Sequence, residues 1–199
     1  MLILYLYLHP IGVLPLLRRE AWRKEIEESR EEATEYFMHH FNWRGAHRPH
    51  DFTGPKWYPI SEKWRVPAKL DRDAPSAGTH VQMQTSIGDL RDFDVYGVFT
   101  FSINGQSQEL TAYRMVPENP EYDELFVPFK DSTTGKETYG AGRYLDIPRQ
   151  DDDSYIIDFN LAYNPTCAFS PRYNCPYPPP QNTLKIPIEA GEKIPFEHD

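Results

Sequence analysis

Residues 95–103 alternate between two sets of side chains, and the dipeptide Asn104-Gly105 follows them at once. Alternation with a period of two residues is typical of a β-strand. Asn-Gly is the dipeptide best suited to a type I′ turn, whose two central residues both have positive φ. The segment 109–115 should therefore return as the antiparallel partner, so the sequence predicts a β-hairpin in the middle of the chain.

Other short segments have strand character, and none after residue 41 has a helical period. The chain also contains 19 prolines, which are too many for a helical bundle and too scattered for collagen. We therefore predict a mainly β fold, either an antiparallel β-sandwich or a barrel-like sheet, with one N-terminal amphipathic helix. The further strands are expected from Val66 onward and at 81–85, 125–129, around 139–145, at 155–160 and at 183–188.

The amphipathic helix is predicted at 20–41, because apolar residues recur there at spacings of three, four and seven. They are Trp22, Ile26, Ala33, Tyr36 and Phe37. The charged residues between them are interpreted as a solvated face. We expect residues 42–199 to form a single β-rich domain, whose first part, 42–67, is a loop pinned by buried aromatic side chains.

Residues 1–19 form an apolar N-terminal extension. The nearly uncharged stretch 1–17 is shorter than a membrane span and contains Pro10 and Pro15, and no basic residues precede it as they do in a signal peptide. Three interpretations stay open: an extension without fixed structure, an element packed on the domain, or a membrane anchor. We expect a cytoplasmic protein that contacts a membrane only if residues 1–17 do so.

The formal net charge of −9 argues against nucleic acid as a partner, since such proteins present a basic face to phosphates. Two cysteines cannot supply the four thiolates of a structural zinc site. The histidines near residues 39–50 lack the spacing of a known metal site. We predict no metal and no cofactor, and the sequence gives no signal for an oligomeric state.

The segment 158–182 is the strongest functional signal, because it contains both cysteines, six prolines and several uncharged polar side chains. Proline restricts its own φ and the conformation of the preceding residue, so this loop should be rigid. A rigid loop is suited to holding polar groups in place. We expect a site for a small polar or anionic ligand beside this Pro/Cys-rich loop.

The motifs at 129–145, 158–182 and 189–193, with a weaker one at 52–59, resemble the domain of unknown function 1684 family. The resemblance extends from about Trp22 to Lys193. It implies no substrate, cofactor or catalytic residue, because the family has no established activity. It also implies a short form, since many relatives carry additional N-terminal sequence.

The candidate site combines two groups of residues. In the first, Lys130 to Gly135 has turn chemistry, while Tyr139 and Arg143 are expected on one face of a strand, where Arg143 can meet a carboxylate or phosphate. In the second, Asp158 and Asn160 share a strand face. The candidate ligand-binding residues are Lys130, Asp131, Thr138, Tyr139, Arg143, Asp158, Asn160, Tyr163, Asn164, Cys167, Cys175 and Asn182.

These residues leave alternatives open. Asp158 could pair with Arg143 while the asparagines satisfy loop backbone, which would make the group a purely internal network. Cys167 and Cys175 could be a disulfide, or two small buried thiols in a reducing compartment. Three functions are therefore considered: a ligand-binding domain; a hydrolase or lyase with Asp158 as general base and Arg143 or Tyr139 stabilising charge; and a structural or partner-binding domain.

Overall fold

The computed structural model describes residues 13–43, 47–117 and 123–196, with side chains from residue 17 onward. It contains one seven-stranded antiparallel sheet in the order β6-β5-β4-β3-β1-β7, with β2 paired to the first half of β3. The strands are β1 Arg65–Asp71, β2 His80–Gln84, β3 Leu90–Ile103, β4 Gln106–Met115, β5 Glu124–Phe129, β6 Arg143–Pro148 and β7 Ser154–Asp158. The sheet curls into a half-barrel, so the mainly β, barrel-like prediction is confirmed.

The predicted hairpin is formed by β3 and β4. Asn104 and Gly105 have φ values of 52° and 76°, so both central residues of the turn are in the left-handed region. The return strand begins at Gln106, directly after the turn, and stays paired with β3 along its length. Local turn chemistry and alternation were sufficient to identify this unit.

Three strand predictions differ from the structure. The strand expected at 155–160 ends at Asp158, and Asn160 lies in the 3-10 turn Phe159–Leu161, so Asp158 and Asn160 do not share a strand face. No strand forms at 183–188; Thr183 makes only an isolated bridge to Lys130, and Pro187 has no N–H for a ladder. The strand expected around 139–145 begins only at Arg143, because Gly142 has a φ of +99° and closes a turn. Tyr139 therefore lies in that turn and does not share a strand face with Arg143.

The N-terminal helix is confirmed, with different limits. Helix α1 spans Val13–Glu35 and continues as a π-helical turn, Tyr36–His40, in which the N–H of Phe41 bonds the carbonyl of Tyr36 at 2.7 Å. The wider turn leaves Tyr36 46% exposed and buries both Phe37 and Phe41. Phe37 then stacks on Phe169 with a ring separation of 3.9 Å, which packs the end of the helix on the Pro/Cys-rich loop.

Among the residues described, no helix combines the length and apolar character that crossing a membrane requires. The segment 1–17, for which a membrane anchor was considered, lies mostly outside those residues.

A β-bulge between Val95 and Gly97 gives the sheet two buried faces. Beyond the bulge, Phe99 and its neighbours on β4, β5 and β6 form the main core. Before it, Val95 and Phe93 pack with Tyr113 and Phe126 in a separate cluster. Side chains alternate between the two faces of a strand, and the extra residue of a bulge shifts this alternation by one. Odd-numbered residues of β3 therefore face one side of the sheet before the bulge and the other side after it.

Candidate functional site

Two cavities border the Pro/Cys-rich loop. The first, called the helix cavity, has a volume of about 430 Å³ and lies between helix α1 and residues 160–166. The second, called the sheet cavity, has a volume of about 370 Å³ and lies between that loop and strands β3 to β6. Tyr163 and Thr166 line both cavities, so the start of the loop separates them.

Arg30 lines the helix cavity, and only part of its guanidinium group is hydrogen-bonded to the protein. Its Nη1 donates a hydrogen bond of 3.0 Å to the carbonyl of Tyr58, and its guanidinium lies 5.6 Å from the ring centre of Trp57. Its Nε and Nη2 are buried without a hydrogen-bond partner among the described residues. These two nitrogens form one donating edge of the guanidinium, the edge that binds a carboxylate or phosphate through two bonds. Burial lowers the pKa of Arg30, and nearby Asp158 and Glu192 oppose that effect.

Asn164 lies opposite the helix in the same cavity. Its main-chain N–H donates 2.8 Å to Oε2 of Glu192, and its Nδ2 donates 2.7 Å to the carbonyl of Lys193. The residue is only 3% exposed, yet its Oδ1 has no partner among the described residues. An unpaired buried acceptor is costly, so Oδ1 is available for a donor on a bound molecule.

Glu192 is a buried carboxyl in the wall of the helix cavity. Burial raises its pKa to about 8, although the hydrogen bond from Asn164 and the charge of Arg143 act against the rise. At neutral pH the group is therefore mainly protonated and uncharged. With Glu192 uncharged, the half-buried Arg30 and the exposed Glu32 are the two charged residues that line the cavity. The protonated carboxyl of Glu192 adds one hydrogen-bond donor.

Arg143 and Asp131 lie away from both cavities, in a closed internal network. Arg143 is 1% exposed, and its Nη2 donates 2.7 Å to Oδ2 of Asp131 and 2.9 Å to the carbonyl of Ile188. Its Nη1 donates to the carbonyls of Ala190 and Glu192. Arg143 therefore joins the 131–138 turn to the C-terminal segment.

Asp131 and Thr138 complete that turn. Oδ1 of Asp131 accepts bonds from the N–H and hydroxyl of Thr133 at 2.6 and 2.5 Å, and the hydroxyls of Thr133 and Thr138 lie 2.9 Å apart. Thr138 is fully buried, so its hydroxyl stabilises the turn by hydrogen bonding within the protein.

Asn182 joins two strands. Its Oδ1 accepts from the N–H of Thr111 at 2.9 Å, and its Nδ2 donates to the carbonyls of Thr111 and Pro128 at 2.9 and 2.7 Å. Main-chain bonds between Lys130 and Asn182 and between Leu184 and Lys130 continue the contact. The side-chain amide thus replaces ladder bonds where β4 and β5 pair only at Tyr113 and Phe126.

Asp158 does not pair with Arg143, so that pairing is wrong. Its Oδ2 accepts from Nε1 of Trp22 at 2.5 Å, and its Oδ1 accepts from the N–H and Nδ2 of Asn160 at 3.0 and 2.7 Å. Asn160 also exchanges bonds of 3.0 and 2.9 Å with the main chain of Ser61. Asp158 therefore attaches the helix to the sheet, and it lines neither cavity.

The structure thus divides the candidate residues among several places. Asn160, Tyr163 and Asn164 line the helix cavity, and Tyr163 and Cys175 line the sheet cavity. Both cysteines are free and buried, and the hydroxyl of Tyr139 is 4.0 Å from Sγ of Cys167. The other candidates belong to the internal contacts described above.

Sequence reasoning missed Arg30, Trp57 and Glu192. Arg30 is one charge among many on an amphipathic helix, and nothing local distinguishes it from the solvated face. Trp57 was assigned only to a loop pinned by aromatic burial. Glu192 carried a signal, because it belongs to the 189–193 motif that contributed to the family resemblance.

No curated protein has significant similarity to this chain. The solution NMR structure of the uncharacterised protein from gene locus rrnAC0354 of Haloarcula marismortui is similar at 30% sequence identity, with a TM-score of 0.68. That match covers 91% of this chain and 98% of the archaeal protein. The model of the family described as "Protein of unknown function (DUF1684)" matches residues 50–193. The chain belongs to the DUF1684 family.

Proposed function

We propose that the protein binds a small anionic molecule, with a carboxylate or phosphate group, in the helix cavity. The observation that carries this proposal is the unpaired Nε and Nη2 edge of Arg30 in the cavity wall. A buried cationic donor without an acceptor is costly, and a bound oxyanion would satisfy both nitrogens at once.

Other groups in the cavity narrow the kind of molecule that fits. Oδ1 of Asn164 accepts a hydrogen bond, so the anion should also carry a hydroxyl or amine donor. The protonated carboxyl of Glu192 permits an anion at neutral pH, because it adds no negative charge there. Trp57 offers an aromatic wall beside the cation. A small hydroxy- or amino-substituted acid matches this set better than an apolar ligand.

Isothermal titration calorimetry with inorganic phosphate, glycolate, lactate and glycine tests the proposal. Each of these probes carries a phosphate or carboxylate group, and glycine also carries an ammonium group. We expect at least one of them to bind saturably, and Arg30→Gln to weaken that binding at least about tenfold, since a charge-assisted hydrogen bond contributes about 1.5–3 kcal/mol. Arg30→Lys should also bind weakly, because lysine keeps the charge and loses the two-nitrogen edge.

Arg23→Gln is the matched control, because Arg23 lies two helical turns earlier and makes only an exposed contact with the carbonyl of Ile60. It should leave the affinity unchanged. Equal affinity in wild type and folded Arg30→Gln, or binding of none of the probes, would reject the helix cavity as an anion site.

An enzyme is the second candidate, and one observation favours it. A carboxyl whose pKa is about 8 holds a proton at neutral pH and can donate it to a leaving group. Glu192 rather than Asp158 would then act on the proton, and Arg30 rather than Arg143 would stabilise developing charge. Turnover of phosphate or carboxylate esters that disappears in Glu192→Gln while anion binding persists would support this candidate.

A further inference from the structure

The sheet cavity contains a pair of thiols that the proposed anion site does not use. Cys175 lies in the cavity wall between Asn174 and Pro176, opposite the aromatic side chains of Phe93 and Phe126. Cys167 is its neighbour in space, and both residues are free and buried. Cys175 lines the sheet cavity and Cys167 does not, so a molecule in that cavity meets Cys175 before Cys167.

Two polar groups of neighbouring residues converge on the sulfur of Cys175. The main-chain N–H of Cys167 lies 3.3 Å from it, and the hydroxyl of Thr166 lies at the same distance. Donors that converge on one sulfur stabilise its anion, which is the nucleophilic form of cysteine.

The electrostatic environment distinguishes the two thiols. The hydrogen bond from Cys167, reinforced by the charge of Arg91, lowers the pKa of Cys175. The same hydrogen bond and burial raise the pKa of Cys167. Arg91 is held beside the site, since its Nη2 donates 2.9 Å to the carbonyl of Asn174. Cys175 is thus the nucleophile of the pair, and Cys167 stays protonated until the charge on its neighbour is removed.

Main-chain contacts fix Cys175 against the edge of the sheet. Its N–H donates 3.1 Å to Oγ of Ser86, and its carbonyl accepts 2.9 Å from the N–H of Ser86. The hydroxyl of Tyr144 donates 2.5 Å to the carbonyl of Pro176. These bonds fix the main chain of Cys175 and of the residue that follows it.

We propose that Cys175 and Cys167 form a dithiol that a hydroperoxide oxidises to an intramolecular disulfide, with the hydroperoxide entering through the sheet cavity and reacting first at Cys175. The walls combine aromatic side chains such as Phe93 and Phe126 with charged ones such as Arg91, which suits a small organic hydroperoxide as well as hydrogen peroxide.

The reaction is balanced in two steps. The thiolate of Cys175 attacks the terminal oxygen of ROOH, the O–O bond breaks, and the products are the sulfenic acid of Cys175 and RO⁻, which takes a proton to become ROH. The sulfur of Cys167 then attacks the sulfenic sulfur, an S–S bond forms, and the hydroxyl leaves as water with the proton of Cys167. The two thiols lose two electrons in total, and the hydroperoxide gains them.

Limiting alkylation of the folded wild-type protein tests which thiol reacts first. With substoichiometric iodoacetamide at neutral pH, peptide mass mapping should place most of the label on Cys175. Treatment with hydrogen peroxide or tert-butyl hydroperoxide should then remove both titratable thiols without linking two chains covalently, with a mass loss of two hydrogen atoms. Preferential labelling of Cys167, or oxidation that gives only disulfide-linked dimers, would overturn the proposal.

Single variants test the order of the two steps. In Cys167→Ser, a dimedone adduct should form at Cys175 after peroxide treatment, because the second thiol is missing. In Cys175→Ser, oxidation of Cys167 should be at least about tenfold slower than that of Cys175 in the first variant, since its thiolate is not stabilised. Equal rates in the two folded variants would show that the surroundings do not activate Cys175.

Discussion

The main-chain N–H of Asn164 donates a hydrogen bond of 2.8 Å to Oε2 of Glu192. This bond links the Pro/Cys-rich loop to the C-terminal segment and places a carboxyl in the wall of the helix cavity. The bond alone does not compensate for burial, and the pKa of Glu192 is about 8. Two consequences for pH dependence follow, one for folding and one for binding.

The first concerns stability. In the unfolded chain Glu192 ionises near its ordinary value of 4.5, whereas in the folded protein it keeps its proton to about 8. Between these values the folded state binds more protons, so the contribution of Glu192 to the free energy of unfolding falls as pH rises, by up to about 1.4 kcal/mol per pH unit. Glu192→Gln should remove this decline. Urea unfolding at several values from about pH 5 to about pH 9 measures it.

Glu189→Gln is the control for that experiment, because Glu189 is an exposed carboxyl on the same segment. It should reproduce the wild-type profile. Parallel profiles for wild type and Glu192→Gln would mean that Glu192 ionises alike in both states.

The second consequence concerns anion affinity. Above about pH 8 Glu192 becomes negative in the cavity that Arg30 also lines, so it should repel an anionic ligand. We expect affinity for the best-bound probe to fall about five- to tenfold as pH rises through this range. Calorimetry on both sides of the transition measures the change, and Glu192→Gln should bind with little pH dependence. A fall of equal size in that variant would assign the effect to another group.

The buried ion pair of Arg143 and Asp131 should be far more important for stability than an exposed pair. Arg143→Met leaves the carboxylate of Asp131 buried without its cation, and we expect a loss of about 3–5 kcal/mol. Arg149→Met breaks the more exposed pair with Asp123 and should cost less than about 1 kcal/mol. Denaturant unfolding of both variants provides the comparison, and similar losses would contradict the structural role assigned to Arg143.

The side-chain amide of Asn182 should be essential for stability. In Asn182→Asp one oxygen can still accept from Thr111, but the other faces the carbonyls of Thr111 and Pro128, which have lost their donor. We expect a loss of about 3 kcal/mol or more, since each unsatisfied buried group costs about 1–3 kcal/mol. The same chemical change at the exposed neighbour, Gln181→Glu, should cost less than about 1 kcal/mol, because the hydroxyl of Tyr113, which accepts 2.9 Å from Nε2 of Gln181, can instead donate to the new carboxylate. Thermal unfolding distinguishes them, and equal midpoints would exclude the proposed bridge.

Sequence reasoning succeeded where structure depends on neighbouring residues. The hairpin at Asn104-Gly105 follows from turn chemistry and alternation, and the helix from its periodicity. It failed where a group finds its partner far along the chain. Asp158 accepts a hydrogen bond from Trp22, and Arg143 donates one to Asp131. The sequence gives no reason to prefer these two pairings over the pairing of Asp158 with Arg143.

The cavity residues illustrate the same limit. Asn164 was identified because the Pro/Cys-rich loop is chemically unusual, but its position opposite Arg30 arises only when the helix packs on the loop. The π-helical turn at the end of the helix brings Phe37 onto Phe169 of this loop, and helical periodicity did not predict that turn. Glu192 is different, because it belongs to the 189–193 motif that contributed to the family resemblance. The motif therefore pointed to this residue, whereas a glutamate by itself would not have been chosen as a candidate.

Gly191 provides the last prediction, because it shapes the segment that carries Glu192. Its φ is +72°, and an added Cβ would lie 2.7 Å from Cβ of Ala162 and 2.8 Å from the carbonyl oxygen of Phe159. Gly105 has nearly the same φ, +76°, and apart from its chain neighbours no described residue has an atom within 4 Å of such a Cβ. Gly105→Ala therefore measures the cost of the left-handed conformation alone, about 1–2 kcal/mol.

Gly191→Ala should cost at least about 2 kcal/mol more than Gly105→Ala, because fixed backbone atoms must move. The displacement should also reach the helix cavity, since the N–H of Glu192 donates 2.7 Å to the carbonyl of Ala162. We therefore expect Gly191→Ala to weaken anion binding and Gly105→Ala to leave it unchanged. Urea unfolding and calorimetry on the two variants measure both effects. If Gly191→Ala lost stability but bound the anion as wild type does, the position of Glu192 would not matter for the site.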